Sequence, residues 1–161
     1  MPTLTPRVRP FLWFDTQAEE AMNLYVSVFK NSKVLSVNRA GGRVVSVSFE
    51  LDGQQFLGLN AGPKYKFTEA VSFFVNCETQ DEVDHFWEKL IAGGGEPSRC
   101  GWLKDKFGLS WQVVPAALFR LMNDPDPAKS QAVVQAMLKM NEIIIADLQK
   151  AYDSATASSS K

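Results

Sequence analysis

His85 is the only histidine in the chain, so it is the first residue to weigh as a metal ligand or proton carrier. It falls in the middle of a helical pattern, which reads as a partly exposed helix position and not as a ligand site. Two cysteines, Cys77 and Cys100, are the candidate thiol nucleophiles. Nothing in the spacing brings either to His85 as a nucleophile–base pair. Cys100 follows Arg99 and precedes Gly101-Trp102, so it suits a cavity rim, where it would be reactive; a small buried thiol is the plainer reading. No G-x-S-x-G elbow is present. The paired carboxylates Glu19-Glu20 and Asp81-Glu82 fall in first helical turns, where negative charge complements the helix dipole; they do not read as an acid/base pair.

Apolar bulk is more informative than ionisable groups. Residues 100–115, CGWLKDKFGLSWQVVP, read as strand, tight turn and strand. Asp105, Lys106 and Gly108 supply turn chemistry. Leu109, Trp111 and Val113 alternate with Ser110, Gln112 and Val114, and Pro115 ends the pairing because it has no N–H. Trp102 and Trp111 serve either core packing or the wall of a ligand cavity.

The elements that position this hairpin follow from patterning. Residues 7–14, 33–39, 43–51 and 54–60 read as strands, with Val45, Val47, Phe49 and Leu51 on one side of the third. Asp52-Gly53 is a two-residue hairpin signal. Ala18, Ala21, Met22, Tyr25, Val28 and Phe29 recur at helical spacing, with Asp15 or Thr16 as the expected cap. The chain then restarts: 70–77 is a strand, and Thr79 or Asp81 caps a helix whose Val83, Phe86, Trp87, Leu90 and Ile91 face inward. At a constant offset of 62, Phe11 matches Phe73, Leu12 Phe74, Glu20 Glu82, Leu24 Phe86, Tyr25 Trp87 and Val28 Leu90. An internal repeat of this kind decides architecture. Beyond Pro115 comes a short helical turn, 116–122. Asp126 and Pro127 open what reads as one long helix over 130–152, with an apolar stripe that must be covered. That cover is expected to be the outside of its own sheet or, alternatively, a second chain.

Bulk properties set outer bounds. With 161 residues and a formal net charge of −1, the chain can bury a core unaided and offers no basic surface for nucleic acid. Two cysteines fit a reducing compartment, and no apolar run approaches a membrane span, so a cytoplasmic protein with no membrane partner is expected.

Several stretches carry a family resemblance: CGWLKDKFGLSWQVVP, RPFLWFD (9–15), AEEAMNLYVSVF (18–29), LNAGPKYKFTEAVSFFV (59–75) and AMLKMNEIIIADLQKAY (136–152). They resemble the PhnB-like "3-demethylubiquinone-9 3-methyltransferase" domain family of the vicinal oxygen chelate superfamily, which also holds glyoxalases, bleomycin-resistance proteins and extradiol dioxygenases. The resemblance implies an α+β fold of two βαβββ modules with curved mixed sheets around a shared cavity, plus a long C-terminal helix. The expected divisions are 7–62, 68–115, a helical extension 116–152 and a flexible tail 153–161. It also implies a homodimer.

Metal-dependent superfamily members place ligands at positions that here carry Pro10, Leu57 or Gly58, Ser72 and Gln112. Pro, Leu and Gly have no ligating side chain, and one hydroxyl with one amide does not replace imidazole and carboxylate. Neither a metal nor a cofactor is therefore expected. The family label implies methyl transfer from S-adenosylmethionine, yet the sequence lacks a strand–Gly-rich loop–helix unit for the nucleotide, so the label is not expected to describe the activity. The favoured reading is a small, partly aromatic ligand in a metal-free cavity lined by Trp13, Phe49, Phe56, Asn60, Phe73, Trp102, Trp111 and Gln112. The alternatives are an enzyme on an aromatic or quinone-like substrate, with Gln112, Asn60 and Ser72 as its polar groups, and a dimeric scaffold with a closed cavity.

Overall fold

A computed structural model describes residues 5–158, with side chains through Ala155. The chain divides into two compact units after Phe67.

The first unit runs β1 (Phe11–Phe14), α1 (Ala18–Val28), β2 (Lys33–Ala40), β3 (Arg43–Leu51) and β4 (Gln54–Asn60). Its sheet order is β1-β4-β3-β2, with β1 parallel to β4 and the other pairs antiparallel. Asp52 and Gly53 both take positive φ, 46° and 87°, as a tight two-residue hairpin requires. Alternation then sets the faces. Leu12, Phe14, Val47, Phe49, Leu51 and Phe56 are buried. They share the face of Gly58, where an added Cβ would meet Ala18 of α1 and stand 2.8 Å from Val47 Cγ2. Helix and sheet approach this closely only because Gly58 has no side chain. Phe49 stacks on Phe56 at 5.3 Å and meets Tyr25 at 6.1 Å. The opposite face carries Phe11, Trp13, Leu57 and Leu59, partly or largely exposed.

The start of α1 differs from the sequence expectation. Neither Asp15 nor Thr16 caps it; the N-cap is Gln17, which makes no side-chain bond. The acceptor for the Ala18 N–H is Asn60 Oδ1 at 2.9 Å, and Asn60 Nδ2 donates to Val44 O at 3.2 Å. A side chain from the end of β4 thus satisfies a helix terminus, which local sequence does not reveal.

The second unit runs β5 (Ser72–Cys77), α2 (Gln80–Ile91), β6 (Glu96–Pro97), β7 (Trp102–Lys104), β8 (Ser110–Pro115), α3 (Ala116–Met122), α4 (Pro127–Met137) and α5 (Ile145–Ser158). The order β5-β8-β7-β6, with β5 parallel to β8, repeats the first sheet. Thr79 caps α2 by accepting from the Glu82 N–H at 3.2 Å, and Asp126 caps α4 with Pro127 in its first turn. The buried side of α2, Val83, Trp87 and Leu90, belongs with buried Val75, Cys77, Leu103, Trp111 and Val113 on one face of the sheet.

The long helix expected over 130–152 is two helices, α4 and α5, broken at 138–144. One straight rod could offer its stripe to only one surface. Folding back lets Val133, Ile143 and Leu148, all fully buried, close a cluster with Val114, Leu118 and Leu121. The stripe is therefore covered by its own unit, against the face of β8 that α2 does not cover. Its apolar width no longer calls for a second chain. Of the tail expected to be flexible over 153–161, residues 153–158 belong to α5, and 159–161 lie outside the described residues.

Candidate functional site

Strand parity, on which the expected cavity lining rested, is corrected by the structure. Phe49, Phe56 and Asn60 lie on the face of the first sheet that α1 covers. Phe73 and Trp111 lie on the α2-covered face of the second, with ring centroids 5.5 Å apart. Only Trp13, Trp102 and Gln112 point to the open faces. For Phe73 the cause is a one-residue slip. The offset of 62 holds for the helices, where Tyr25 and Trp87 are both buried, but not for the strands. Phe11 is 57% exposed, whereas its counterpart Phe73 sits beside buried Trp111. A shift of one residue exchanges every side chain between faces. Trp13, on the open face of the first unit, donates Nε1–H to Gly62 O at 2.9 Å and meets Tyr65 edge-on.

The positions that correspond to superfamily metal ligands do come together within each unit. Leu57 N–H donates to Pro10 O at 2.9 Å at the start of the first sheet. Gly58 faces α1, so Leu57 is the open-face residue of that pair. In the second unit Gln112 Nε2 donates to Ser72 Oγ at 2.9 Å. A metal does not fit this donor set. The one amide and one hydroxyl are neutral and are already bonded to each other, and the first unit contributes no ligating side chain. Among the described residues no three His, Cys, Asp or Glu side chains gather as a metal-holding group. His85 is an exposed residue of α2.

Beside this pair, the same open face borders a cavity of about 520 Å³. Its lining includes Trp102, Lys104 and Ser110 of the sheet, with Glu69, Arg99 and Cys100. Trp102 pairs with Gln112 and Lys104 with Ser110 across β7 and β8, which places these four on one face. Lys104 forms an ion pair with Glu69; the hydrogen bond holds the Glu69 carboxyl below its usual range and raises the Lys104 ammonium. Ser110 is buried at 1% exposure, yet its Oγ has no hydrogen-bond partner among the described residues. A buried hydroxyl is normally paired, so an orphan at a cavity wall is a vacant donor and acceptor. The sequence marked Ser110 only as the polar partner in an alternation; no local signal distinguishes it.

The cavity rim is held by unusual backbone. Cys100 takes φ 60° and Gly101 φ 82°. At Gly101 a Cβ would lie 2.7 Å from Val113 O, so no other residue fits. Cys100 N–H donates to Met140 O and Gly101 N–H to Asn141 O, both at 2.8 Å. The rim therefore hangs on the segment between α4 and α5. The turn beneath is fixed by Asp105, whose Oδ1 accepts from the Phe107 and Leu109 N–H groups and whose Oδ2 accepts from Trp111 Nε1.

Two tandem βαβββ units, each with one sheet face covered by its own helix and the other open, in the second unit only up to Val114 where the C-terminal helices pack, define a vicinal oxygen chelate fold. Residues 6–114 match the family model described as 3-demethylubiquinone-9 3-methyltransferase. The chain belongs to that PhnB-like family. The PhnB protein of Bacillus cereus is 35% identical over 69% of this chain and all of that one, with a TM-score of 0.65. Protein PA1353 of Pseudomonas aeruginosa, 15% identical over 69% of this chain and 98% of its own, has a TM-score of 0.59 and supports the fold alone. Comparison with the curated proteins finds no match. No helix among the described residues is long and apolar enough to cross a membrane.

Proposed function

We propose that this protein binds a small, partly aromatic molecule on the open face of its second sheet, with no protein-held metal. The observation that carries the reading is the Ser110 hydroxyl, buried and unpaired at the wall of a cavity of about 520 Å³. That volume suits a small organic ligand. Trp102 supplies a flat apolar wall, and the Gln112–Ser72 pair keeps neutral hydrogen-bonding capacity nearby: the Gln112 Oε1 lone pairs, its second N–H and the Ser72 O–H. Such a surface recognises a planar molecule with a carbonyl or hydroxyl group. We place the protein in the cytoplasm on its cysteine usage and as a homodimer on the strength of the family resemblance.

Native mass spectrometry of freshly purified protein reads retained ligand, metal and oligomer together. Titration of menadione and 4-hydroxybenzoate, followed by tryptophan fluorescence, supplies two aromatic probes of different polarity. A retained organic mass or saturable probe binding is expected, weakened in Ser110→Ala. That substitution should leave stability unchanged or slightly raised, because it removes an unsatisfied buried polar atom. Neither retained mass nor probe binding, or binding that Ser110→Ala leaves intact, would defeat the reading.

A further inference from the structure

The segment 138–144 lies outside residues 6–114 that match the family. Gln80 clasps it to α2. Gln80 Nε2 donates to Ile143 O at 3.1 Å, and Gln80 Oε1 accepts from Ile145 N–H at 2.8 Å. The same Nε2 donates to Asp84 Oδ1 at 2.9 Å, one turn further along α2. Near Asp84 the segment places a second carboxyl, Glu142, close enough that each carboxyl shifts the titration of the other. Glu142 Oε1 is buried with no neutral donor to it among the described residues. Two carboxyl groups in contact share a proton, and an ionised one buried against another is unfavourable. The same segment presents Met140 O and Asn141 O to the rim residues Cys100 and Gly101.

We propose that the 138–144 segment is a proton-operated latch on the ligand cavity. With Glu142 protonated, it donates to Asp84, the segment stays seated on α2, and the Cys100–Gly101 turn is held in its left-handed conformation. With Glu142 ionised beside Asp84 and Glu88, the seat loosens and the turn is released. A non-glycine residue such as Cys100 keeps positive φ only while its surroundings enforce it.

The charged groups that act on Glu142 are Asp84 and Glu88, both on α2. The other charged or titratable residues of the packed elements are Asp81, Glu82, His85 and Lys89 on α2, Lys139 on the segment and Asp147, Lys150 and Asp153 on α5, all exposed, with half-buried Tyr152 also on α5. Burial, then the Asp84 carboxyl, pushes Glu142 up from 4.5 to about 7, while the hydrogen bond from Glu142 holds Asp84 low. The proton thus sits on Glu142. The seated form binds it more tightly than the released form, so the seat is fully held below the ordinary carboxyl range and is lost as pH rises through about 7.

Hydrogen exchange of the Cys100 and Gly101 amides in the full chain, divided by intrinsic rates, reads the latch directly. Between pH 6 and pH 8 the wild-type protection should fall by about tenfold. In Glu142→Gln, neutral at both values, it should not change. Asp84→Asn, which turns the repelling partner into a donor, should keep its protection at pH 8. Equal wild-type protection at the two pH values, or a wild-type-like loss in either variant, would overturn the latch; if Glu142→Gln does not fold, Asp84→Asn decides alone. Weaker ligand binding at pH 8 follows only if the binding reading above also holds. Exchange needs no ligand, so a working latch with no bound molecule removes that reading and leaves this inference standing, and bound ligand with unchanged exchange does the reverse.

Discussion

Trp111 Nε1 donates to Asp105 Oδ2 at 2.9 Å, with both residues buried, so the carboxylate of the β7–β8 turn is tied to the core ring of the strand that follows it. The other carboxylate oxygen takes the Phe107 and Leu109 amides at 2.9 and 3.0 Å. One acidic residue therefore satisfies three donors and fixes the hairpin that carries Trp102 and Ser110.

Replacing Asp105 with Ala leaves those donors without an acceptor in a dry site. The expected cost is roughly 3 kcal/mol of folding stability. Trp111→Phe removes only the indole N–H and some volume, and should cost about 1–2 kcal/mol. Urea unfolding of both variants checks the order. If Trp111→Phe is the more damaging, packing and not the carboxylate holds the turn.

Gly58→Ala introduces a methyl 2.8 Å from Val47 Cγ2 beneath α1. Val47 is fully buried and cannot swing away. Overpacking should cost about 1–3 kcal/mol. Combining it with Val47→Ala should cost less than the two changes summed, because the second removes the clashing atom. Additive costs in thermal or urea unfolding would disprove the contact.

The two thiols should differ sharply in reactivity. Burial, reinforced by the charges of Glu82 and Glu78, pushes the Cys77 thiol up to about 12, so at pH 8 it stays neutral and unreactive. Cys100 is half-buried at the cavity rim. Iodoacetamide at pH 8 should modify one thiol of the native protein, Cys100, and reach Cys77 only on unfolding. Peptide mapping that finds both labelled at similar rates would contradict the burial of Cys77.

Much of the fold was legible because its signals are local. Asp52-Gly53 turns the third strand because that pair tolerates positive φ. Thr79, Asp126 and Pro127 act at the helix starts they mark. The recurrence at an offset of 62 gave the two modules, and the hairpin 100–115 gave the family. The C-terminal break was not legible: residues 138–144, LKMNEII, hold neither Gly nor Pro, and each continues a helical pattern acceptably. The chain turns there because folding back buries Ile143 with Leu148 and Val133.

The candidate site was legible only in part, and the division has a physical cause. Sequence periodicity specifies that a strand has two faces, and it determined by itself which residues alternate and that no His–carboxylate metal set occupies the family positions; it marked the Asp126 cap of α4 but not the missing local cap of α1. It does not say which face the helix covers, since Phe, Trp and Val suit either one. That choice depends on how many residues join strand to helix, and it put Phe73 and Trp111 on the α2-covered face and left Ser110 beside Gln112 on the other. Tertiary structure alone decided the contacts that join distant positions: Asn60 at the start of α1, Gln80 on the 138–144 segment, and Glu142 against Asp84. Each depends on desolvation and on atoms meeting across tens of residues, and no local pattern encodes either.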